Sequence, residues 1–224
     1  MTVANGIKSF FLNGPAGRLE ALLNEGEPHA THAALVCHPH PLFGGTMHNK
    51  VVYHAMKALS GFGFPVLRFN FRGAGMSEGE HDKGHGEQED VRAAINWLDS
   101  EIHLPIIFCG FSFGAATGLR TACSDSRVVG LIGLGTPVGV EGRTYSYQFL
   151  KDCASPKLFI SGAQDQYGPP ESLEKVVELP PEPKEMVIVP GADHFFEGHL
   201  QEMQTAITNW VGKLFRPDRQ AVSS

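Results

Sequence analysis

Three residues far apart in the chain are of the types needed to cut an acyl bond: Ser112, Asp165 and His194. A serine hydroxyl is a weak nucleophile until a base removes its proton, and an imidazole base needs a third group to fix its tautomer. Ser112 is the centre of Gly110-Phe111-Ser112-Phe113-Gly114, a G-x-S-x-G run. The run follows an apolar stretch, residues 105–109 (PIIFC), and opens one rich in small residues. That context places the serine on a sharp strand-to-helix turn at a sheet edge, with glycines two residues either side where the turn packs. The helix starting there points backbone N–H groups at a developing oxyanion. Without the strand and the helix, the same five residues would be an ordinary Gly-Ser turn.

The partners must lie on later strand-end loops, in the order Ser, acid, His. Asp165 follows residues 157–161 (KLFIS), and His194 follows residues 185–189 (EMVIV). The chain has 11 histidines, so it is this position after the last strand and before the last helix that singles out His194. Asp193, Asp152 and Asp125 are rivals for the acid. Asp193 adjoins His194, and neighbouring loop side chains diverge. Asp152 precedes its strand, and Asp125 ends the helix carrying Ser112, away from the reactive edge. On the other side of the serine stands the loop His38-Pro39-His40-Pro41-Leu42-Phe43-Gly44-Gly45. It can offer an oxyanion N–H only from His40, Leu42 or Phe43, because proline has none. The second donor is expected from Phe113.

The elements that must hold these residues alternate regularly. Residues 7–12 and 18–23 read as a hairpin across Asn-Gly-Pro-Ala-Gly. Strands are expected at 33–37, 65–69, 105–109, 128–134, 157–161 and 185–189. Helices are expected at 47–60, 87–100, 113–123, near 170–178 and at 199–214. Short apolar strands alternating with helices predict an α/β fold, a mostly parallel doubly wound sheet covered on both faces, with an antiparallel N-terminal hairpin. Ligands in such sheets bind at the carboxyl ends of the strands. Residues 135–156 leave room for one short helix around 146–151, so no large cap domain is expected. The reading is a single domain over 1–216, with a flexible tail at 217–224.

Composition narrows the partners. The net charge is −6 with no basic run, which argues against nucleic acid. No stretch is long and apolar enough for a signal peptide or a membrane span. His38, His40, His48 and His54 invite a metal reading, but His-Pro-His blocks helical presentation and no carboxylate or thiol pair completes a tetrahedral set. The Gly-rich loop 70–77 lacks a P-loop lysine and a dinucleotide spacing, and Arg72 in it is expected to be a structural ion-pair partner. No cofactor and no metal are expected. Cys37, Cys109, Cys123 and Cys153 have no CxxC spacing and read as free thiols of a cytoplasmic protein. A homodimer is compatible with the sequence.

The strings HPHPLFGGTMHNKVV, LRFNFRGAGMSEG, GEQEDVRAAINWL, GFSFGA and GADHFF resemble the small bacterial α/β hydrolases related to dienelactone hydrolases and short-chain carboxylesterases. The resemblance runs from about residue 5 to 214 and carries Ser112, Asp165 and His194 onto the family's catalytic positions. Dienelactone hydrolases have cysteine at the elbow, where this chain has serine, and haloalkane dehalogenases need aspartate there. The resemblance therefore implies the fold and a serine triad, and the short segment at 135–156 leaves an open site suited to small, water-soluble esters. A thioesterase or small-peptide hydrolase on the same triad, or a binding protein that keeps the fold, are the alternatives. Phe43, Phe111, Phe113, Tyr145, Tyr147, Phe149, Phe195 and Phe196 are candidates for an apolar wall around it.

Overall fold

A computed structural model of the protein describes residues 6–140 and 143–215. β1 (Ile7–Gly14) and β2 (Gly17–Asn24) form the expected antiparallel hairpin. There follow β3 (Ala33–Cys37), α1 (Lys50–Ser60), β4 (Val66–Phe69), α2 (His85–Ile102), β5 (Ile106–Phe111), α3 (Phe113–Cys123) and β6 (Val128–Leu134). A two-residue pair, β7 (Gly139–Val140) with β8 (Arg143–Thr144), precedes β9 (Lys157–Gly162), α4 (Pro170–Val177), β10 (Lys184–Val189) and α5 (Leu200–Leu214). Eight strands make one sheet in the order β1-β2-β4-β3-β5-β6-β9-β10. β2 meets β4 antiparallel, and every later pairing is parallel. This is the α/β-hydrolase sheet, mostly parallel with an antiparallel N-terminal edge.

Strand periodicity splits the core in two, because alternate side chains leave opposite faces. Leu35 and Cys37 of β3, with Phe108 of β5, join Val91, Ala94, Ile95 and Leu98 of α2 and Leu119 of α3. Ala34 and Val36 of β3, with Ile107 and Cys109 of β5, join Val51, Val52, Ala55 and Leu59 of α1 and Met203, Ile207 and Val211 of α5. The central strands are buried on both faces, as a parallel sheet under two helical layers requires. Residues 217–224, the expected tail, lie outside the described residues. Among the described residues no helix is long and apolar enough to cross a membrane.

Three elements depart from the sequence expectation. α1 starts at Lys50 rather than 47, where the Asn49 side chain accepts the Val51 N–H at 2.9 Å and caps the helix. Residues 41–43 form a separate 3₁₀ turn that ends at Gly44 in the left-handed region. Among the described residues, the segment between β6 and β9 has no α-helix; besides β7 and β8 it forms a 3₁₀ turn at Gln148–Asp152. It adds no large cap.

Candidate active site

The strand-to-helix turn at 110–114 is steric in origin. Ser112 has φ 54 and ψ −117, a conformation that L-residues rarely adopt. A Cβ on Gly110 would lie 2.5 Å from the Gly114 carbonyl oxygen, and one on Gly114 would lie 2.6 Å from the oxygens of Cys37 and His38. Only glycine lets the turn fold back on itself and lets α3 approach the end of β3. The Ser112 carbonyl accepts the N–H groups of Ala115 and Ala116 and starts α3. The first N–H groups of a helix have no acceptor within it, so those of Phe113 and Gly114 open beside the serine.

The structure brings the three residues together. His194 Nε2 lies 2.9 Å from Ser112 Oγ. His194 Nδ1 lies 3.0 and 2.9 Å from the two carboxylate oxygens of Asp165. Asp165 Oδ1 accepts the N–H groups of Tyr167 and Gly168 at 2.8 and 3.0 Å, and Oδ2 accepts the Ser161 hydroxyl at 3.0 Å. Burial alone would push this carboxyl up, but the His194 hydrogen bond and charge and the two backbone N–H groups outweigh it and hold it below its ordinary value. An ionised Asp165 is an acceptor only, so Nδ1 carries the imidazole proton and Nε2 faces the serine hydroxyl with its lone pair. The His194 ring is clamped by Tyr167 at 4.6 Å, Phe195 at 5.1 Å and Phe111 at 5.2 Å between centroids. Gly135 completes the clamp: a Cβ there would lie 3.2 Å from the ring.

The rival acids are occupied elsewhere. Asp193 Oδ1 accepts the N–H groups of Phe195 and Glu197, each at 3.0 Å, and shapes the turn that carries His194. Asp125 pairs with Arg127 at 2.6 Å, and Asp152 is exposed. Arg72 pairs with buried Asp90 at 2.7 Å and anchors the loop after β4.

On the oxyanion side, Leu42 N–H donates to His40 Nδ1 at 3.3 Å and Phe43 N–H to His40 O at 3.1 Å, both inside the 3₁₀ turn. Those two donors are thus engaged within their own loop. His40 packs on Phe113, ring centroids 4.7 Å apart, which sets the start of the loop against the elbow. His38 is a buried structural residue: Nδ1 is 2.6 Å from the Pro39 oxygen and Nε2 accepts the Phe71 N–H at 2.9 Å. Burial pushes it down to about 4, so it is neutral. His54 bonds Gln204 at 2.9 Å.

The proposed apolar wall divides. Phe111 and Phe196 are wholly buried core residues and Phe113 nearly so, whereas Phe43 and Phe195 are exposed at the surface. One group went unread in the sequence: His81 Nδ1 lies 2.6 Å from a carboxylate oxygen of buried Glu87. The His81 ring stands 4.7 Å from His40 and 5.5 Å from Phe113. Glu87 also accepts the Gly84 N–H at 2.8 Å, and its place three residues after that N-cap is the signal that could have marked it.

A sequence family described as an alpha/beta hydrolase domain matches residues 33–213. The chain belongs to the α/β-hydrolase family. An uncharacterised protein of Rickettsia prowazekii is 34% identical over 208 residues, covering 90% of this chain and 87% of that protein. An α/β serine hydrolase homologue from Coxiella burnetii superposes with TM-score 0.82 at 37% identity, covering 94% of this chain and 99% of the other. A lidless α/β serine hydrolase from Xanthomonas campestris gives TM-score 0.82 at 33% identity, covering 94% and 96%. This α/β hydrolase therefore has the fold of the small bacterial serine hydrolases.

Proposed function

We propose that the protein hydrolyses small, water-soluble carboxylic esters through an acyl-enzyme on Ser112. The observation that carries this reading is the unbroken relay from Ser112 Oγ through His194 to Asp165, with both links at 2.9 Å. Ser112 Oγ attacks the ester carbonyl carbon while its proton passes to His194 Nε2. Asp165 stabilises the resulting imidazolium across Nδ1–H without taking the proton. Charge gathers on the former carbonyl oxygen, which the backbone N–H groups of Phe113 and His40 stabilise. The intermediate collapses as His194 returns the proton to the leaving alkoxide. Water then repeats the sequence on the acyl-enzyme and releases the acid. The short segment between β6 and β9 favours small substrates, and the serine-hydrolase names of the Coxiella and Xanthomonas proteins support the chemistry. The four cysteines fit the reducing cytoplasm: Cys37, Cys109, Cys123 and Cys153 are free thiols.

The test is a panel of matched oxygen esters, thioesters and amides of one short acid, run on the native protein and on Ser112→Ala. Oxygen esters are expected to give the highest kcat/KM. Ser112→Ala is expected to lose on the order of 10⁶-fold in kcat, because triad members act as a unit. Faster thioester or amide cleavage would overturn the ester assignment, and a fully active Ser112→Ala would overturn the nucleophile.

A further inference from the structure

Beside the elbow lies a cavity of about 510 Å³, bounded by the start of α2, the outward face of α3 and residues 145–147. Its floor is the helical stripe Phe113, Ala116, Thr117 and Arg120, spaced so that all four share one face of α3. The stripe begins at Phe113, the residue after the nucleophile, which sets one end of the cavity next to the elbow. Among the described residues, Lys83, His85 and Arg120 line it and no acidic residue does, although the chain has 24 acidic residues against 18 Lys and Arg. Two acids at the start of α2 are engaged elsewhere. Asp82 accepts the Gly86 N–H at 2.9 Å, and Glu87 accepts the Asp82 and Gly84 N–H groups at 2.9 and 2.8 Å. A basic cavity in an acidic protein attracts anions at close range.

The arginine is held in place. Arg120 Nη2 donates to the Ser146 carbonyl at 3.1 Å, and the guanidinium lies 4.6 Å from the centre of the Phe149 ring. Its remaining N–H groups form a planar fork suited to a carboxylate or phosphate. The Thr117 hydroxyl lies on the same floor, one turn nearer the serine. Along α3, Ser112 and Arg120 are separated by about 12 Å at 1.5 Å per residue. An anion joined directly to the scissile carbonyl would not span that distance; one several bonds away would.

We infer that this cavity binds an anionic group, a carboxylate or phosphate, carried by the substrate several bonds from its ester carbonyl. The inference deepens the ester-hydrolase reading and rests on it. Such a substrate is a half-ester of a dicarboxylic acid, or an ester with a phosphorylated arm.

Two arms test it. In the first, kcat/KM for mono-4-nitrophenyl adipate is divided by that for 4-nitrophenyl hexanoate, its neutral twin. The native protein is expected to favour the anionic ester. Lys83→Gln and Arg120→Gln are each expected to lower that ratio about tenfold, the scale of one charged hydrogen bond. An unchanged ratio in both variants, or a native preference for the neutral ester, overturns the inference. In the second arm, adipate and inorganic phosphate are titrated calorimetrically into the native protein and both variants. Binding that weakens in the variants supports the site even if no ester is cut, an outcome that would sink only the ester reading. No binding of either anion to the native protein overturns the site. Tighter adipate than phosphate binding identifies a carboxylate arm, and the reverse a phosphate. Should Arg120→Gln loosen the 145–149 wall, Lys83→Gln carries the test, because Lys83 belongs to the opposite rim.

Discussion

Lowering the pH from 7 to 4 is expected to destabilise the protein through His38. The side chain is wholly buried at the head of the oxyanion-side loop, with Nδ1 on the Pro39 oxygen and Nε2 on the Phe71 N–H. Protonation would put a second hydrogen where Phe71 already donates. Burial accordingly lowers the group from its ordinary 6.5 to about 4. Between those values the unfolded chain takes up a proton that the native protein refuses, so stability rises with pH across the window. It is complete above about pH 6.5 and is lost as pH falls toward 4. At about 1.4 kcal/mol per pH unit, the whole window comes to about 3 kcal/mol, a large share of a typical domain stability of about 5–15 kcal/mol. Urea unfolding of the native protein and of His38→Gln, followed by fluorescence of Trp97 and Trp210, measures it. Gln keeps an acceptor for the Phe71 N–H and cannot be protonated. His32, also lowered by burial, titrates in both proteins and cancels in the difference. The native protein should lose about 3 kcal/mol more than the variant between pH 7 and 4. A difference that stays constant over that range would refute the neutral, doubly bonded His38.

Asp165→Asn is expected to lower kcat about 10⁴-fold at neutral pH, the scale of a wrong tautomer in an intact geometry. Asp193→Asn should cost no more than about tenfold, because Asp193 caps two backbone N–H groups and does not touch the ring; kinetics on both folded variants would expose a reversed ranking. Gly135→Ala is expected to cut kcat more than tenfold, since its Cβ would lie 3.0 Å from Phe111 and 3.2 Å from His194 at a φ of 46. The left-handed backbone adds about 1 kcal/mol of destabilisation, so kcat and Tm are measured together, and full activity would contradict the clamp. Acetyl to butyryl aryl esters should exceed acyl chains beyond about ten carbons in kcat/KM, because each methylene gains about 0.8 kcal/mol only where a pocket buries it. A steady rise with chain length would reveal an apolar tunnel.

The sheet and its helices were legible because apolar runs such as Ala33–Cys37 and Ile106–Phe111 lie between two helical layers and need no polar alternation. Ser112, Asp165 and His194 were legible for a related reason: each follows a strand, and the carboxyl ends of parallel strands share one edge. What escaped was set by contacts between loops. The 3₁₀ turn at 41–43 draws the Leu42 and Phe43 N–H groups inward, and no periodicity records that. β7 and β8, two residues each, are too short to show alternation. Phe111 and Phe196 looked like candidates for a substrate wall because burial depends on which face each side chain takes at a turn. The basic cavity joins residues near 83, 120 and 145, which only the packing of α2 on α3 brings together.

The central claim is that Ser112 attacks, driven by His194 and Asp165. A fluorophosphonate probe followed by peptide mass spectrometry tests it most directly, because the phosphorus traps the activated oxygen without any assumption about substrate. The account predicts one adduct per chain, on Ser112, absent in Ser112→Ala and formed far more slowly in His194→Ala and Asp165→Asn. An adduct on another residue, or labelling of Ser112 at an unchanged rate in both partner variants, would contradict it.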